Sequence, residues 1–313
     1  MPQEMSTREA YGQTLVELGR ESQDIVVLDA DLSRSTRTSL FAQEFPQRFF
    51  NCGIAEQNMM GIAAGLAASG KIAFASTFAI FATARCFDQL RMSIAQPHLN
   101  VKIVATHSGI TVGEDGFSHH AIEDLALACS LPGFTVIAPA DAIETTQVVR
   151  VAAATYGPFY IRLSRPKTSV IYNSAYQFVL GKAATLRAGT DATIVTAGIM
   201  VAKAVEAAAS LSQKGIDCRV LSMPTIRPLD EQAIIQAATE TGAIVTAEEH
   251  LEHGGLGSRV AHVVAQYQPV PMAFVAIKNT YVKSGKPEEL LERYGLTAAN
   301  IEQAVHSTVL RKR

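Results

Sequence analysis

The sequence of 313 residues lacks the signatures of several broad protein classes. No uninterrupted run of about eighteen apolar residues occurs, and the N-terminal MPQEMSTREA lacks the apolar core of a secretion signal. We therefore expect a cytoplasmic protein that makes no membrane contact. A net charge of −2 provides no basic surface, so nucleic acid is not an expected partner. Neither a GxGxxG nor a Walker pattern is present, which removes the usual signatures of nucleotide binding.

Cysteine is scarce, and metal-binding patterns are missing. The four cysteines lie far apart and form no CxxC pair: Cys52, Cys86, Cys129 and Cys218. Such spacing is typical of reduced, mostly buried thiols, and Cys52 is the candidate for a functional role because it neighbours Glu56. Three other possible ligands, His107, Asp115 and His119, lack the short regular spacing of a metal site. We therefore predict that this chain binds no metal ion.

Apolar, β-rich runs alternate with helical patterns along the chain. Because each run is continuously apolar, both of its faces should be buried, as in a parallel sheet with helices on either side. The first five runs lie at 25–28, 71–76, 101–106, 134–139 and 159–164. After an irregular segment, the alternation returns at 192–197, 218–223, 243–249 and 272–277. The sequence therefore predicts two three-layer α/β domains with mostly parallel sheets.

The irregular segment marks the expected domain boundary. It is interrupted by Pro166, Gly181 and Gly189. We predict a first domain at residues 1–166, a linker at 167–188 and a second domain at 189–313.

Two helix starts are predicted from capping-box spacing, at Ser6–Glu9 and at Asp141–Glu144. Arg8 would lie in the first turn of the first helix, where a cation opposes the helix dipole. It is well placed only if it binds an anion at that helix end. An exposed, tolerated arginine is the alternative.

Glu56 is the only acidic residue between Gly53 and Ala84. A carboxyl group in such apolar surroundings loses hydration, so we expect its pKa to rise and Glu56 to be able to donate a proton near pH 7. The alternative is a glutamate that the dipole favours in the first turn of a helix and that has no further function.

Unusual residues follow four predicted strands of the first domain. DADLSRSTRTS, after the first strand, supplies two arginines and five hydroxyl groups, and the fifth strand is followed by Arg165. Phe78 and Phe81 follow the second strand, although core packing is the alternative for both. HSGITVGEDGFSHH, after the third, has three glycines, two adjacent acids and three histidines. Because open α/β sheets bind ligands at this edge, we predict a site for a phosphorylated, hydroxyl-rich molecule where protons are transferred.

A second polar segment, EEHLEHGGLGS at 248–258, lies in the second domain. Its composition invites a metal or dinucleotide interpretation, but the glycines do not have the required spacing. We expect a structural or subunit-interface loop.

The motifs along the chain resemble those of the transketolase family. They are, in order, GIAEQNMMGIAAGLA, STFAIFATARCFDQLR, THSGITVGEDGFSHHAIED, SRP and EEHLEHGGLGS. The resemblance covers nearly the whole chain and is to the pyrimidine-binding and C-terminal domains of that family. It implies thiamine diphosphate as cofactor. Glu56 matches the glutamate that hydrogen-bonds N1′ of the aminopyrimidine, a position that needs a carboxyl group able to share its proton.

Further cofactor contacts are implied by the same resemblance. Phe81 resembles the aromatic stacked on the pyrimidine, Phe78 resembles its neighbour, and Asp31 resembles a carboxylate on the cofactor side. Many transketolases have a third aromatic one turn further on, where this chain has Ala84.

The resemblance also implies a substrate site. Asp115 resembles the residue that recognises the C2 hydroxyl of the substrate, and His119 the residue near the donor carbonyl and C1 hydroxyl. His120 stands where glutamine is common, a difference that bears on substrate choice. Catalytic roles are implied for Glu56, His107 and His119. The sugar phosphate is expected to bind Arg8, Ser35, His107 and Arg165.

No GDG motif, by which thiamine enzymes hold Mg²⁺ and the diphosphate, occurs in this sequence. The resemblance therefore implies the C-terminal subunit of a split transketolase, active only with a separate chain that carries the GDG motif and the Mg²⁺ ligands. An α2β2 assembly is expected, in which this chain also dimerises.

The implied reaction is transfer of a two-carbon ketol unit from a ketose phosphate to an aldose phosphate, with thiamine diphosphate as electron sink. Two alternatives remain at this point. The chain could be the β subunit of a 2-oxo acid dehydrogenase, or a non-catalytic partner that regulates a thiamine enzyme.

Overall fold

The computed structural model describes residues 4–312, whose strands form two large sheets and a two-stranded ribbon. The strands in chain order are β1 (Glu4–Ser6), β2 (Ile25–Asp29), β3 (Phe49–Asn51), β4 (Ile72–Phe78), β5 (Val101–Thr106), β6 (Thr135–Ile137), β7 (Phe159–Arg162), β8 (Lys167–Ser169), β9 (Ala184–Arg187), β10 (Ala192–Thr196), β11 (Cys218–Ser222), β12 (Thr225–Arg227), β13 (Ile244–Leu251) and β14 (Met272–Ile277).

The helices are α1 (Thr7–Glu21), α2 (Ser33–Thr36), α3 (Ser39–Glu44), α4 (Glu56–Ala68), α5 (Phe87–Gln89), α6 (Asp124–Ser130), α7 (Ala142–Ala154), α8 (Met200–Gln213), α9 (Glu231–Thr241), α10 (Leu256–Tyr267), α11 (Pro287–Arg293) and α12 (Ala298–Val309). Short 3₁₀ turns lie at Pro46–Arg48 and Gly113–Asp115, and π-helical turns at Phe81–Arg85 and Leu90–Ala95. No helix within residues 4–312 is both long and apolar enough to cross a membrane.

The first sheet has the order β12-β6-β7-β5-β4-β2-β3, and all its neighbouring pairs are parallel except β12 with β6. Its strands are apolar on both sides because both faces are covered. In β2, Val26 and Leu28 pack into one core, whereas Ile25 and Val27 pack into another.

The second sheet has the order β14-β13-β10-β11-β9, parallel except for β9 with β11. The two-domain α/β fold predicted from the alternating runs is therefore confirmed, and each predicted run contains a strand. Both capping predictions are confirmed as well. The Ser6 hydroxyl accepts a hydrogen bond from Glu9 N, and the Asp141 carboxylate accepts one from Glu144 N.

The segment at 167–188, expected to be an irregular linker, contains two strands. β8 pairs with β1 in the antiparallel ribbon, and β9 forms an edge of the second sheet. The division of the chain at 166 and 188 stays a prediction.

The two domains are joined by more than their linker. β12, which follows β11 of the second sheet in the chain, pairs with β6 in the first sheet. Apolar residues from both halves also share one continuous core, in which Val195 and Leu221 pack in the same cluster as Val26 and Ala128. Separating the domains would therefore expose apolar surface and break a strand pairing.

Lys102 in β5 is fully buried. Its ammonium group donates hydrogen bonds to Thr155 O and Gly157 O, each at 2.7 Å, and lies 4.3 Å from the ring centroid of Phe159. Within residues 4–312 no carboxylate lies in ion-pair distance of Lys102. Burial lowers the pKa of Lys102 to about 7.

We predict that Lys102 makes the stability of the folded chain increase with pH. Between about pH 7 and the ordinary Lys value of 10.5, the unfolded chain holds the proton and the folded chain does not. The free energy of unfolding should then rise by up to about 1.4 kcal/mol per pH unit. Urea unfolding of the wild type and of Lys102→Met from pH 7 to 9.5 measures this. The variant should have the flatter profile, and parallel profiles would contradict the assignment.

Candidate active site

The carboxyl ends of β2, β4, β5 and β7 lie at one edge of the first sheet, because these strands are parallel neighbours. The loops that follow them carry the residues predicted from the sequence. Chemistry-bearing side chains that are far apart in the chain therefore meet here, as expected for an open α/β sheet.

Glu56 begins α4, and its side chain is 7% exposed. Its Oε1 accepts a hydrogen bond from Arg85 Nη1 at 2.9 Å. The expectation of a carboxyl group in purely apolar surroundings is therefore wrong, because the π-helical turn at Phe81–Arg85 brings a cation to Glu56. Gln57 fixes this turn, since its side-chain amide donates to Arg85 O. Within residues 4–312, Oε2 of Glu56 has no hydrogen-bond partner.

An aromatic cluster adjoins this carboxylate. The guanidinium carbon of Arg85 lies 3.8 Å from the ring centroid of Phe81, and Phe81 stacks on Phe78 at 5.7 Å between centroids. His107 stacks on Phe78 at 3.8 Å, and His119 meets Phe81 edge-on at 5.2 Å. The structure thus brings four of the predicted residues into contact with one another. The guanidinium group of Arg85 lies between this cluster and Glu56.

His107 has a backbone φ of +56°, in the left-handed region that residues other than glycine rarely adopt. Its Nδ1 lies 2.9 Å from the hydroxyl of Thr106. Burial, with the nearby charges of Arg8 and Arg165, lowers the pKa of His107 to about 3. The imidazole is therefore neutral at physiological pH and can donate one hydrogen bond while accepting another.

The residues predicted to bind phosphate lie beside His107. Arg8 donates to Ser35 O at 2.8 Å, which joins the start of α1 to the loop after β2. Arg165 donates to Val112 O and lies 3.6 Å from Glu114 Oε2 and 3.9 Å from Asp115 Oδ2. Burial and the cations Arg37 and Arg165 lower the pKa of Arg8, so this corner of the site is electropositive.

Asp31 lies on the same loop but is exposed and does not contact the aromatic cluster. Asn51 holds it: the amide nitrogen donates to Asp31 Oδ1 at 3.0 Å, and its oxygen accepts from Asp31 N and Gly53 N. Sequence reasoning missed Asp29, which is buried and accepts hydrogen bonds from Leu32 N and from the hydroxyls of Thr36 and Thr38. Burial raises the pKa of Asp29 to about 6.

The loop after β5 is held from the second domain by Glu249. Its Oε1 accepts a hydrogen bond from Thr111 N at 2.7 Å, although the two residues are 138 positions apart. The carboxylate packs against Gly109, where φ is +71° and a Cβ would lie 2.0 Å from Glu249 Cδ. Sequence reasoning missed this contact. The sequence feature that could have indicated a close contact here is Gly109, two residues after His107.

Arg162, at the end of β7, completes this support. Its Nε donates to Asp124 Oδ2 at 2.8 Å, and Nη2 donates to Ala121 O and to Glu249 O. The first sheet, the loop after β5 and the end of β13 therefore meet at one buried guanidinium.

The segment at 248–258 has the structural role that was expected of it within the chain. Glu248 accepts hydrogen bonds from Leu256 N and Gly257 N and so caps α10, while His250 Nε2 lies 3.3 Å from Ala126 N. Glu248, Glu249 and His250 belong to β13 rather than to a loop.

His120 is buried, and its Nε2 lies 3.0 Å from Gly113 O, so it stabilises the loop and does not line the aromatic cluster. Ala84 lies in the π-helical turn before Arg85. Within residues 4–312 the cysteines are unbonded thiols, buried except for the partly exposed Cys52, as predicted. That part of the chain contains no group of three or more side chains arranged to hold a metal ion.

Comparison with known proteins agrees with this geometry. The family model "Transketolase, pyrimidine binding domain" matches residues 3–170, and "Transketolase, C-terminal domain" matches residues 181–301. A solved structure, "Split gene transketolase, inactive beta4 tetramer", is 51% identical with a TM-score of 0.93, covering 99% of this chain and 100% of its own.

Two curated relatives extend the comparison. "Transketolase-like protein 2" of Mus musculus is 44% identical over 98% of this chain, which spans only 49% of the mouse protein. "6-deoxy-6-sulfo-D-fructose transketolase subunit SqwH" of Clostridium sp. (strain MSTE9) is 41% identical over 97% of this chain and 95% of its own length.

A pyrimidine-binding domain followed by this C-terminal domain, with a buried carboxylate beside stacked aromatics, defines a subunit of a thiamine diphosphate-dependent enzyme. The chain belongs to the transketolase family, and its activity is that of a transketolase subunit.

We predict that Gly109→Ala disrupts the loop after β5. The added methyl group would overlap the Glu249 carboxylate, which could no longer bind Thr111 N. Gly215→Ala is the matched control, because Gly215 also has a positive φ, of +80°, but open space around it. The control should lose about 1–2 kcal/mol of unfolding free energy from backbone strain. Gly109→Ala should lose at least about 2 kcal/mol more. Equal losses by chemical denaturation would contradict the contact.

Proposed function

We propose that this chain, paired with a diphosphate-binding chain, transfers a two-carbon ketol unit from a ketose phosphate to an aldose phosphate. The observation that carries the proposal is the continuity of the site. Glu56, Arg85, Phe81 and His119 are linked by contacts of 2.9–5.2 Å, and the electropositive corner of Arg8 and Arg165 lies beside His107. A proton-exchanging group, flat aromatic surfaces and an anion site are thus adjacent, as transfer between sugar phosphates requires.

The side chains of this site fit the pyrimidine half of thiamine diphosphate. A flat, weakly basic heterocycle requires a carboxyl group at its ring nitrogen and an aromatic surface against its face. Glu56 retains Oε2 for such a nitrogen while Oε1 stays with Arg85, and Phe81 with Phe78 supplies the surface. The proposal also assigns Asp31, in the loop after β2, to the cofactor side of the site. When bound, the cofactor supplies the electron sink that allows a carbon–carbon bond beside a ketose carbonyl to break.

The proposal assigns a task to each side chain of the site. Glu56 exchanges a proton with N1′ of the aminopyrimidine. His119, whose Nδ1 lies 3.0 Å from the Ser118 hydroxyl, keeps Nε2 for the donor carbonyl and the C1 hydroxyl. Asp115 accepts a hydrogen bond from the C2 hydroxyl. His107, being neutral, shares the phosphate end of the sugar with the cations Arg8 and Arg165 and with Ser35.

The proposal places Mg²⁺ and the diphosphate on the partner chain. It is supported by the missing GDG motif and by the 51%-identical split gene transketolase, whose beta4 tetramer is described as inactive. An α2β2 assembly in the cytoplasm, with this chain dimerising, is part of the same proposal.

We predict that the purified chain has no transketolase activity and binds thiamine diphosphate only weakly, since it lacks the diphosphate ligands. Calorimetry with the cofactor and Mg²⁺ measures the affinity, and addition of a chain that carries GDG should restore turnover of sugar phosphates. Micromolar binding by the chain alone, or turnover without a partner, would overturn the split-enzyme proposal.

We predict that Glu56→Gln in the reconstituted complex keeps cofactor binding but loses turnover by about 10²- to 10⁴-fold, because glutamine can hydrogen-bond N1′ without exchanging a proton with it. The loss should appear in kcat as well as in kcat/KM. Hydrogen–deuterium exchange at C2 of the thiazolium ring isolates the proton transfer from sugar chemistry.

Glu231→Gln is the matched control, because Glu231 is an exposed glutamate in the first turn of α9. It should exchange and turn over at the wild-type rate. If Glu56→Gln behaved in the same way, Glu56 would be a helix-start residue without a catalytic task, and a non-catalytic role for the chain would gain support. Acetylation of a lipoyl domain by the complex would instead support the 2-oxo acid dehydrogenase alternative.

A further inference from the structure

A cavity of about 470 Å³ lies at the start of α1, and four of the ten residues that line it are cationic. Arg8 and Arg165, the two arginines already assigned to the sugar phosphate, form one part of it. Arg37 and Lys167 also line it, and neither is among the residues assigned to the sugar phosphate. Glu9 is the one carboxylate in the lining, and outside it Glu114 and Asp115 lie 3.6 and 3.9 Å from Arg165, so the four cations still outnumber the nearby carboxylates. We call this space the cationic cavity.

The fold brings these charges together by three separate routes. The β1–β8 ribbon pairs Ser6 with Lys167, which places the lysine beside the first turn of α1. Close packing of Gly12 fixes Arg37, since a Cβ at Gly12 would lie 2.7 Å from Arg37 Cβ. Arg165 follows β7 and reaches the same space from the sheet. The free N–H groups at the start of α1 add partial positive charge.

Arg37 occupies an unfavourable backbone position. Its φ is +71°, which costs a residue other than glycine about 1–2 kcal/mol. An arginine there is explained if its side chain is needed. Glu9 Oε2 lies 2.8 Å from Arg37 Nε, and within residues 4–312 the two Nη groups make no hydrogen bond. Arg37 is thus held at one nitrogen, with its other donors available to a ligand.

The charge of the lining indicates the class of ligand. A phosphate monoester carries close to two negative charges at neutral pH, because its second pKa is about 6. A sulfonate has a similar shape but one charge, and a sugar hydroxyl has none. Cations that lie beyond the first contacts of an anion act through its charge rather than its shape. Arg37 and Lys167 should therefore discriminate between these groups.

We propose that Arg37 and Lys167 are selectivity residues beside the phosphate contacts of Arg8 and Arg165, and that they favour a dianionic phosphate ester over a sulfonate or an uncharged sugar end. The proposal rests on the proposed function for the identity of the sugar substrate. Arg8, Arg37, Arg165 and Lys167 all belong to this chain, so anion binding to them can be measured on the purified chain.

The test is ligand-observed NMR on the purified chain at pH 7.5, with methyl phosphate as the dianionic probe and methanesulfonate as the monoanionic probe. Wild type should bind methyl phosphate about tenfold more tightly than methanesulfonate. Arg37→Gln and Lys167→Gln should each weaken methyl phosphate binding by about three- to tenfold, as expected for partly exposed cations, and change methanesulfonate binding by less than about twofold. Between pH 7.5 and 5.5 the wild-type affinity for methyl phosphate should fall as the probe gains a proton.

Arg34→Gln is the matched control, since Arg34 is an exposed cation on the same loop that does not line the cavity. It should bind both probes as the wild type does. Arg8→Ala, the positive control, should weaken both anions. If Arg37→Gln and Lys167→Gln matched Arg34→Gln, or if they weakened both probes equally, the selection of a dianion would be overturned.

A transketolase assay of the reconstituted complex separates this proposal from the proposed function. Loss of methyl phosphate binding in the two variants, with no turnover of any sugar phosphate by the wild-type complex, would contradict the function and leave the anion site standing. If the wild-type complex turned over sugar phosphates, and if Arg37→Gln and Lys167→Gln kept the wild-type preference for a phosphate ester over a sulfonate, the proposed function would stand. The selection of a dianion by Arg37 and Lys167 would then be overturned.

Discussion

The guanidinium of Arg162 is the interaction on which the rest of the structure depends. Its side chain extends from the first sheet and is buried, and it hydrogen-bonds Ala121 in the loop after β5, Asp124 at the start of α6 and Glu249 in the second domain. Burial opposes its charge, but Asp124 and Glu249 outweigh that penalty and raise the pKa of Arg162. Removing the cation would leave two buried carboxylates unpaired, which is strongly destabilising. The packing of the two domains is therefore tied to one charge balance.

The same buried charges also support the candidate site. Glu249 fixes Thr111, four residues after His107, and His107 stacks on Phe78 in a backbone conformation that only a firmly supported loop can keep. The side chains of the candidate site all lie within residues 8–165, yet their geometry is set partly by Glu249 of β13 in the second sheet. The second domain thus supports the loop that carries His107.

Local patterns were enough to predict most of the fold. Continuous apolar runs such as 101–106 indicate strands buried on both faces, and hydroxyl or carboxylate residues three positions before a glutamate indicate helix starts, because both depend on neighbouring residues only. Parallel strands place their carboxyl ends at one edge of a sheet. The sequence therefore also predicted that the segments after these strands meet there, which groups Phe78, Phe81, His107 and His119. The Arg85–Glu56 pair, the Glu249–Thr111 bond and β12 could not be predicted, because each depends on a register or a turn that distant parts of the chain impose. A π-helical turn in particular leaves no local pattern.

The insertion of β12 next to β6 affects how the chain is made. On the ribosome, β6 emerges long before β12, so the first sheet has an open edge while the linker and the first strands of the second domain are being synthesised. An unpaired strand edge in a nascent chain is a site for wrong pairing with other chains. The first sheet can therefore be completed only after Arg227 has been added. Folding of the first domain thus depends on synthesis of part of the second domain.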